Sequence, residues 1–136
     1  MAHSIQSFRG KSKIVKDLDL IVFILFALKI VSRSSDFESI RSLSEEWQAQ
    51  LNLYGPGVID LKFGQLLRTP VEERDFAILL EAILNEAGQY QETIPASFLN
   101  SFVNKQAPSL AVTFYDYNVS FLKDTVKAIE ILVSKA

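Results

Sequence analysis

The sequence predicts an all-α fold, a compact single domain of five or six helices arranged around one buried apolar helix. Residues 20–28 read LIVFILFAL without a polar interruption. Later segments repeat apolar residues at intervals of three and four, which is the spacing of amphipathic helices. Capping signals stand before two of these segments, and they mark where the predicted helices begin.

The apolar run has no polar face, so a helix over it needs cover on every side. Its nine residues rise about 14 Å as a helix, whereas a membrane span needs about 20 apolar residues. Asp17 and Asp19 before the run and Lys29 after it fit the helix macrodipole. We therefore predict a buried central helix over residues 13–33 and no membrane span. A buried strand and a membrane or export segment are the alternatives.

A second helix is predicted over residues 36–51, because apolar residues recur on one face of it. Ser35 and Glu38 have the spacing of a capping box at its start. The sequence NLYGPG at residues 52–57 ends the helix, since two glycines around a proline cannot continue it. The predicted apolar face consists of Phe37, Ile40, Leu43, Trp47 and Leu51.

Two segments are ambiguous between helix and strand. Residues 58–63 and 110–116 alternate apolar or aromatic side chains with other residues, as strands do, but both also fit helical spacing. A short helix interrupted by Gly64 is favoured for residues 58–67. The alternative fold is therefore α+β, with a small two-stranded sheet at about 58–63 and 110–116.

The clearest helix start in the chain lies at Thr69. This residue can cap, Pro70 occupies the first helical position, and Glu72 completes a capping box. The helix is predicted to run to Ala87, with Gly88 as a left-handed terminating residue.

Two further helices complete the predicted fold. A short one follows the Thr-Ile-Pro sequence at residues 93–95, and the last one is clear from Val119 onward. Either Asp116 or Asn118 can cap the last helix.

The predicted organisation is a flexible N-terminal arm at residues 1–10, followed by a single globular helical domain at residues 11–136. The first ten residues show no periodicity. Cys is absent, which excludes disulfides and gives no support for secretion. A cytoplasmic location is expected.

The residue types exclude several kinds of active site. His3 is the only histidine and Cys is absent, so zinc and copper sites with their usual ligands are not available. A Ser-His-Asp triad would depend on that one histidine, and no glycine-rich phosphate-binding motif occurs. We expect no catalytic residues, no metal and no cofactor. This argues against an enzyme, although chemistry on carboxylates alone stays open.

Charge is distributed unevenly along the chain. Residues 36–100 carry eleven acidic and four basic side chains, whereas the net charge of the whole chain is −2. An acidic region of this kind attracts basic partners. The basic cluster at residues 9–16 comes before it, but the chain is acidic overall and has no nucleic-acid-binding motif. No nucleic-acid partner is therefore expected.

The favoured function is a protein–protein interaction module, such as an inhibitor or immunity-type partner of a basic protein, that acts through an acidic surface. A loop aromatic side chain is a good anchor for such a contact. The rival is a small-ligand-binding or carboxylate-dependent enzymatic helical domain, with Tyr115 and Tyr117 lining its groove. A homodimer also stays open. The residues predicted to contact the partner are Glu45, Glu46, Tyr54, Glu72, Glu73 and Asp75.

Overall fold

Helices make up most of the computed structural model, which describes residues 2–110 and 112–134. About 60 % of the chain is helical, with six helices and two small two-stranded sheets in the described part. The all-α prediction is therefore correct only in part, and the α+β alternative fits the fold class. The elements are β1 (His3–Phe8), β2 (Lys11–Lys16), α1 (Asp17–Ser32), α2 (Arg41–Asn52), α3 (Phe63–Leu66), α4 (Pro70–Ala87), β3 (Thr93–Ile94), α5 (Ala96–Gln106), β4 (Tyr117–Asn118) and α6 (Val119–Val133).

The apolar run lies in α1, which contacts α2, α4, α5 and α6. Every residue from Leu20 to Leu28 is buried, so the predicted central helix is confirmed. Asp17 and Asp19 occupy its first turn and Lys29 its last turn, as the helix macrodipole favours. The helix begins at Asp17 rather than at residue 13, because the residues before it belong to β2.

Residues 3–8, expected to lie in a flexible arm, form β1 and pair antiparallel with β2. Arg9 and Gly10 join the two strands with φ angles of 50° and 81°, which suits a two-residue hairpin turn with positive φ at both positions. Ser4, Gln6 and Phe8 face inward and are buried. Because two of these three side chains are polar, the alternation typical of a strand is hidden in the sequence.

The second sheet pairs β3 with β4, with Ile94 opposite Tyr117. The strands proposed at 58–63 and 110–116 do not form within the described residues. Residues 58–62 have no regular structure and are followed by the short helix α3, while Leu110 and residues 112–116 are irregular. Residue 111 lies outside the described residues.

Helix termini confirm some of the predicted signals. The amide of Glu72 donates to Thr69 Oγ1 at 3.3 Å, and the amide of Thr69 donates to Glu72 Oε1 at 3.1 Å. This is the predicted capping box at the start of α4. Asn118 caps α6 through its side-chain oxygen, which accepts from the amide of Ser120 at 2.9 Å.

Two other terminus predictions are wrong. Gly88 has a φ of −64° rather than a left-handed conformation. The second helix begins at Arg41, because a 3₁₀ turn at Glu38–Ile40 takes the place of its first turn, and no side chain caps that turn. The apolar face is nevertheless correct, since all five of its predicted residues are buried.

No helix in residues 2–110 or 112–134 is both long enough and apolar enough to cross a membrane.

Candidate functional site

Asp17 joins the hairpin to the loop that follows α2. It is the first residue of α1 and is buried. One carboxylate oxygen accepts from Ser4 Oγ at 2.5 Å. The other accepts from the Tyr54 hydroxyl at 2.8 Å and from the amide of Gly57 at 2.8 Å. A single carboxylate therefore fixes β1, α1 and residues 54–57 relative to one another.

The pKa values of this group follow from its hydrogen bonds. Burial by itself raises the pKa of Asp17. The hydrogen bonds from Gly57, Ser4 and Tyr54, with the nearby charge of His3, outweigh it and hold the pKa below its ordinary value. Burial and the hydrogen bond to Asp17 raise the pKa of Tyr54 to about 12. At neutral pH Asp17 is therefore ionised and Tyr54 is a neutral donor.

The next residues of the loop are held by the polar side chains of β1. The amide of Ile59 donates to Ser4 Oγ at 3.1 Å. Gln6 donates to the carbonyl of Ile59 at 2.7 Å and accepts from the amide of Leu61 at 2.8 Å. Trp47 Nε1 donates to the carbonyl of Leu61 at 2.9 Å. The buried polar face of β1 thus satisfies backbone groups that a third strand would otherwise have to satisfy.

This firmly held loop exposes apolar side chains to solvent. Leu53 is 84 % exposed and Val58 is 68 % exposed, and both line a cleft of about 350 Å³ between α2 and the loop. Glu46, Tyr54 and Asp60 line the same cleft. We call these five residues the loop surface. Exposed apolar side chains grouped beside polar ones are typical of protein-binding sites.

Apolar exposure continues from the loop surface onto the hairpin. Val58 and Ile5 line a neighbouring cleft of about 310 Å³. Ile5 lies opposite Ile14 in the hairpin register, and the two side chains are 61 % and 63 % exposed. Ile14 in turn shares a third cleft with Phe121 of α6. The loop and the outer face of the hairpin therefore form one stretch of surface rich in exposed apolar side chains.

Three of the predicted acidic contact residues lie on or near the loop surface. Glu46 lines the loop cleft and pairs with Lys62. It also shares a polar cleft of about 220 Å³ with Glu72, whose carboxylate serves the capping box. Glu45 is exposed on α2. The structure therefore places Glu46 and Tyr54 in one cleft, puts Glu72 in a second cleft with Glu46, and leaves Glu45 exposed nearby.

Glu73 and Asp75 lie elsewhere. Glu73 pairs with Arg9 at 3.0 Å and lines a different cleft, between α4 and α6. Asp75 is buried, accepts from Ser39 Oγ at 2.6 Å and lies 3.5 Å from Arg74. The structure therefore places Asp75 away from solvent, because its position on α4 turns it toward the 3₁₀ turn.

The structure does not bring Tyr115 and Tyr117 together on one surface. Tyr115 is 83 % exposed, whereas Tyr117 is buried in β4 and donates to Asp19 Oδ1 at 2.5 Å. Residues two apart share a face only in regular extended backbone, and the segment becomes extended only at β4. Burial and the bond to Asp19 raise the pKa of Tyr117 above its ordinary value. The two tyrosines therefore do not line one groove.

No group of three or more His, Asp or Glu side chains in the described part of the chain could hold a metal ion. His3 lies on the exposed face of β1.

The comparisons with known proteins give no match: no protein-family model, no curated protein and no solved structure is similar to this chain. The contacts and exposures of its own residues are therefore the basis for assigning a function.

Sequence reasoning missed the apolar part of the loop surface, although a signal was present. Leu53 and Val58 flank a Tyr-Gly-Pro-Gly sequence that cannot be helical, so neither residue belongs to a helical apolar face. Asp17 was assigned only to the helix dipole. Its hydrogen bond from Ser4 was not predicted, because the residues around Ser4 show no alternation of apolar and polar side chains that would indicate a half-buried strand.

Proposed function

We propose that this chain is a protein-binding module and that the loop surface is its contact site. One observation carries the proposal: Leu53 and Val58 are exposed on a loop whose backbone is tied down by buried polar groups. Ordering a flexible loop on binding costs free energy, and a loop that is already ordered avoids that cost. Exposing apolar side chains to water costs free energy, and this cost is removed when a partner covers them.

The charges around the loop surface favour a basic partner. Glu46 and Asp60 lie beside Leu53 and Val58, and Glu45 is exposed on the same helix as Glu46. Lys62 neutralises part of this charge through its pair with Glu46. The acidic groups are thus placed to steer association and select a partner, while the apolar pair supplies affinity. Such a surface suits an inhibitor or immunity-type partner of a basic protein.

The test is a quantitative capture experiment with matched variants. Tagged parent chain, Val58→Asp and Ile131→Asp are used in parallel on lysate from the source cells, and bound proteins are quantified by mass spectrometry. Val58 and Ile131 are 68 % and 70 % exposed, so neither change removes a buried contact. Ile131 lies on α6 and lines no cleft of the loop surface.

A specific partner should bind the parent and Ile131→Asp but not Val58→Asp. Measured with the purified partner, Kd should rise by about 30-fold for Val58→Asp, the effect of losing a hot-spot residue. Equal affinity of all three proteins for every captured partner would contradict the proposal.

A further inference from the structure

Lys62 places a positive charge inside the cleft between α2 and the loop. Among the described residues that line this cleft, Glu46 and Asp60 are acidic and Lys62 alone is basic. The ammonium group of Lys62 pairs with Glu46 Oε1. The hydrogen bond to Glu46, with the charges of both carboxylates, outweighs partial desolvation and raises the pKa of Lys62 above its ordinary value. The free chain therefore already holds a cation on a carboxylate that a basic partner is expected to contact.

The position of this cation follows from how residues 60–62 are attached to α2. Gln50 accepts from the amide of Asp60 at 3.0 Å and donates to the carbonyl of Asp60 at 2.7 Å. The carboxylate of Asp60 accepts from the amide of Lys62 at 2.9 Å. Glu46 lies one turn before Gln50 on the same face of α2. These hydrogen bonds hold the backbone of Lys62 where its side chain reaches Glu46.

Lys62 also has a backbone conformation that is unfavourable for lysine. Its φ and ψ angles of 55° and 47° are left-handed, a region in which a Cβ atom is crowded and glycine is not. The conformation starts α3, since the carbonyl of Lys62 accepts from the amides of Gln65 and Leu66 at 2.9 and 3.0 Å. A strained residue beside a cleft is a reason to examine its side chain for a functional role.

The pair between Lys62 and Glu46 is weak enough to be exchanged. Their side chains are 31 % and 36 % exposed, and water and salt screen ion pairs at such sites. A lysine or arginine of a partner could replace Lys62 at Glu46 and lay its aliphatic stem against Leu53 and Val58, which line the same cleft. The exchange substitutes one ion pair for another and adds the burial of exposed apolar surface.

We propose that Lys62 is an internal competitor at the loop surface, which a lysine or arginine side chain of the partner displaces from Glu46. This inference rests on the proposed protein-binding function and adds the chemical group that is recognised and a means of selection. A ligand that offers only positive charge gains little, because Glu46 already has a cation. A partner that presents its cation beside apolar side chains also covers Leu53 and Val58, so the competition favours that partner over other basic proteins.

A side-chain analogue tests the exchange without a partner protein. Butylguanidinium, which has the cation and the aliphatic stem of arginine, is titrated at constant ionic strength into isotope-labelled chain, and the amide shifts of Val58 and Asp60 report binding. Removing the competing cation in Lys62→Gln or Lys62→Gly should lower Kd about fourfold, the size of effect expected from an exposed ion pair. Glycine suits the left-handed backbone, so the second variant separates loss of charge from misfolding. Equal Kd values for these variants and the parent would overturn the proposal.

Two controls separate competition from a general change in charge. Arg9 is the only other non-glycine residue with positive φ in residues 2–110 and 112–134, and it too pairs with a glutamate, Glu73. Arg9→Gln therefore removes the same charge and the same kind of pair elsewhere, and it should bind the probe as the parent does. In a Glu46→Gln background, Lys62→Gln should lose most of its effect. An undiminished effect there would mean that Lys62 only repels the probe and would overturn the competition.

A captured partner distinguishes this inference from the proposed function. Lys62→Gln should bind that partner about fourfold more tightly than the parent, whereas Val58→Asp should lose it. If Val58→Asp loses the partner but Lys62→Gln binds it no more tightly, the competition is wrong and the protein-binding function stands. If Val58→Asp loses no partner while Lys62→Gln still binds butylguanidinium more tightly, the cation exchange stands and the protein-binding function fails.

Discussion

Asp17 shows how one buried charge can stabilise a structure when all its surroundings are polar donors. Removing a carboxylate from water is costly unless hydrogen bonds replace the lost hydration. Here the Ser4 hydroxyl, the Tyr54 hydroxyl and the Gly57 amide supply them. The Ser4 donor comes from β1, and the Tyr54 and Gly57 donors come from the loop after α2, so the carboxylate also determines where the loop surface lies.

Replacing Tyr54 with Phe removes one donor and leaves Asp17 less well satisfied. We expect the free energy of unfolding to fall by about 1.5–3 kcal/mol, the range for a hydrogen bond to a charged group. Urea denaturation followed by tryptophan fluorescence of Trp47 measures the change. Tyr115→Phe is the matched control, because the Tyr115 ring is exposed, and it should change stability by less than about 0.5 kcal/mol. A similar small effect for both variants would show that the Tyr54–Asp17 bond contributes nothing.

The same variant has a defined pH dependence. Because the pKa of Tyr54 is raised from 10.0 to about 12 in the folded chain, the neutral phenol stabilises the fold. That contribution is fully present below pH 10 and is lost as the pH rises through about 12. The stability difference between the parent and Tyr54→Phe should therefore narrow across this window. Tyr117 titrates in the same direction in both proteins, so it cancels in the comparison.

At the scale of the element, the sequence predicts the helices that have strong local signals. The capping box at Thr69 and the apolar run of α1 both lie where they were expected. The hairpin was missed because its inward side chains Ser4 and Gln6 are polar, and they are buried only because the loop backbone supplies their partners. Because these hydrogen-bond partners lie more than fifty residues away in the sequence, no periodic pattern of apolar residues marks the hairpin.

The cap of α4 gives a prediction at this scale. Thr69→Ala removes the oxygen that accepts from the amide of Glu72, and we expect a loss of about 1 kcal/mol in the free energy of unfolding. Thr113→Ala, at an exposed position outside the helices, should leave stability within about 0.5 kcal/mol of the parent. Thermal and urea melts measure both variants, and equal melts would mean that the capping box adds no net stability.

At the scale of the whole molecule, cations from the N-terminal part of the chain pair with two carboxylates of its acidic middle. Glu73 pairs with Arg9, and Glu86 pairs with Arg33 and Lys29. The hydrogen bond from Arg33 is the largest cause that lowers the pKa of Glu86. These cations come from residues 1–35, so a charge count by segment overstates the acidic surface. The sequence could indicate the excess of charge but not which carboxylates the fold would neutralise.

The loop surface was only partly predictable for the same reason. Tyr54 and Glu46 were expected to contact a partner, and the structure places both in one cleft with Leu53 and Val58. The exposure of the two apolar side chains depends on the fixed path of residues 57–61, and that path depends on Asp17 and on β1. A site held by contacts far apart in sequence is not encoded in any local pattern.

Amide hydrogen exchange of the chain alone tests the central claim, that the loop is held in place before any partner binds. The amides of Gly57, Ile59 and Leu61 donate to Asp17, Ser4 and Gln6, whereas that of Val58 makes no hydrogen bond within the described residues. We predict that the three bonded amides exchange at least 100-fold more slowly than Val58, and that Asp17→Asn speeds the exchange of Gly57. Equally fast exchange of all four amides would contradict a preformed loop surface.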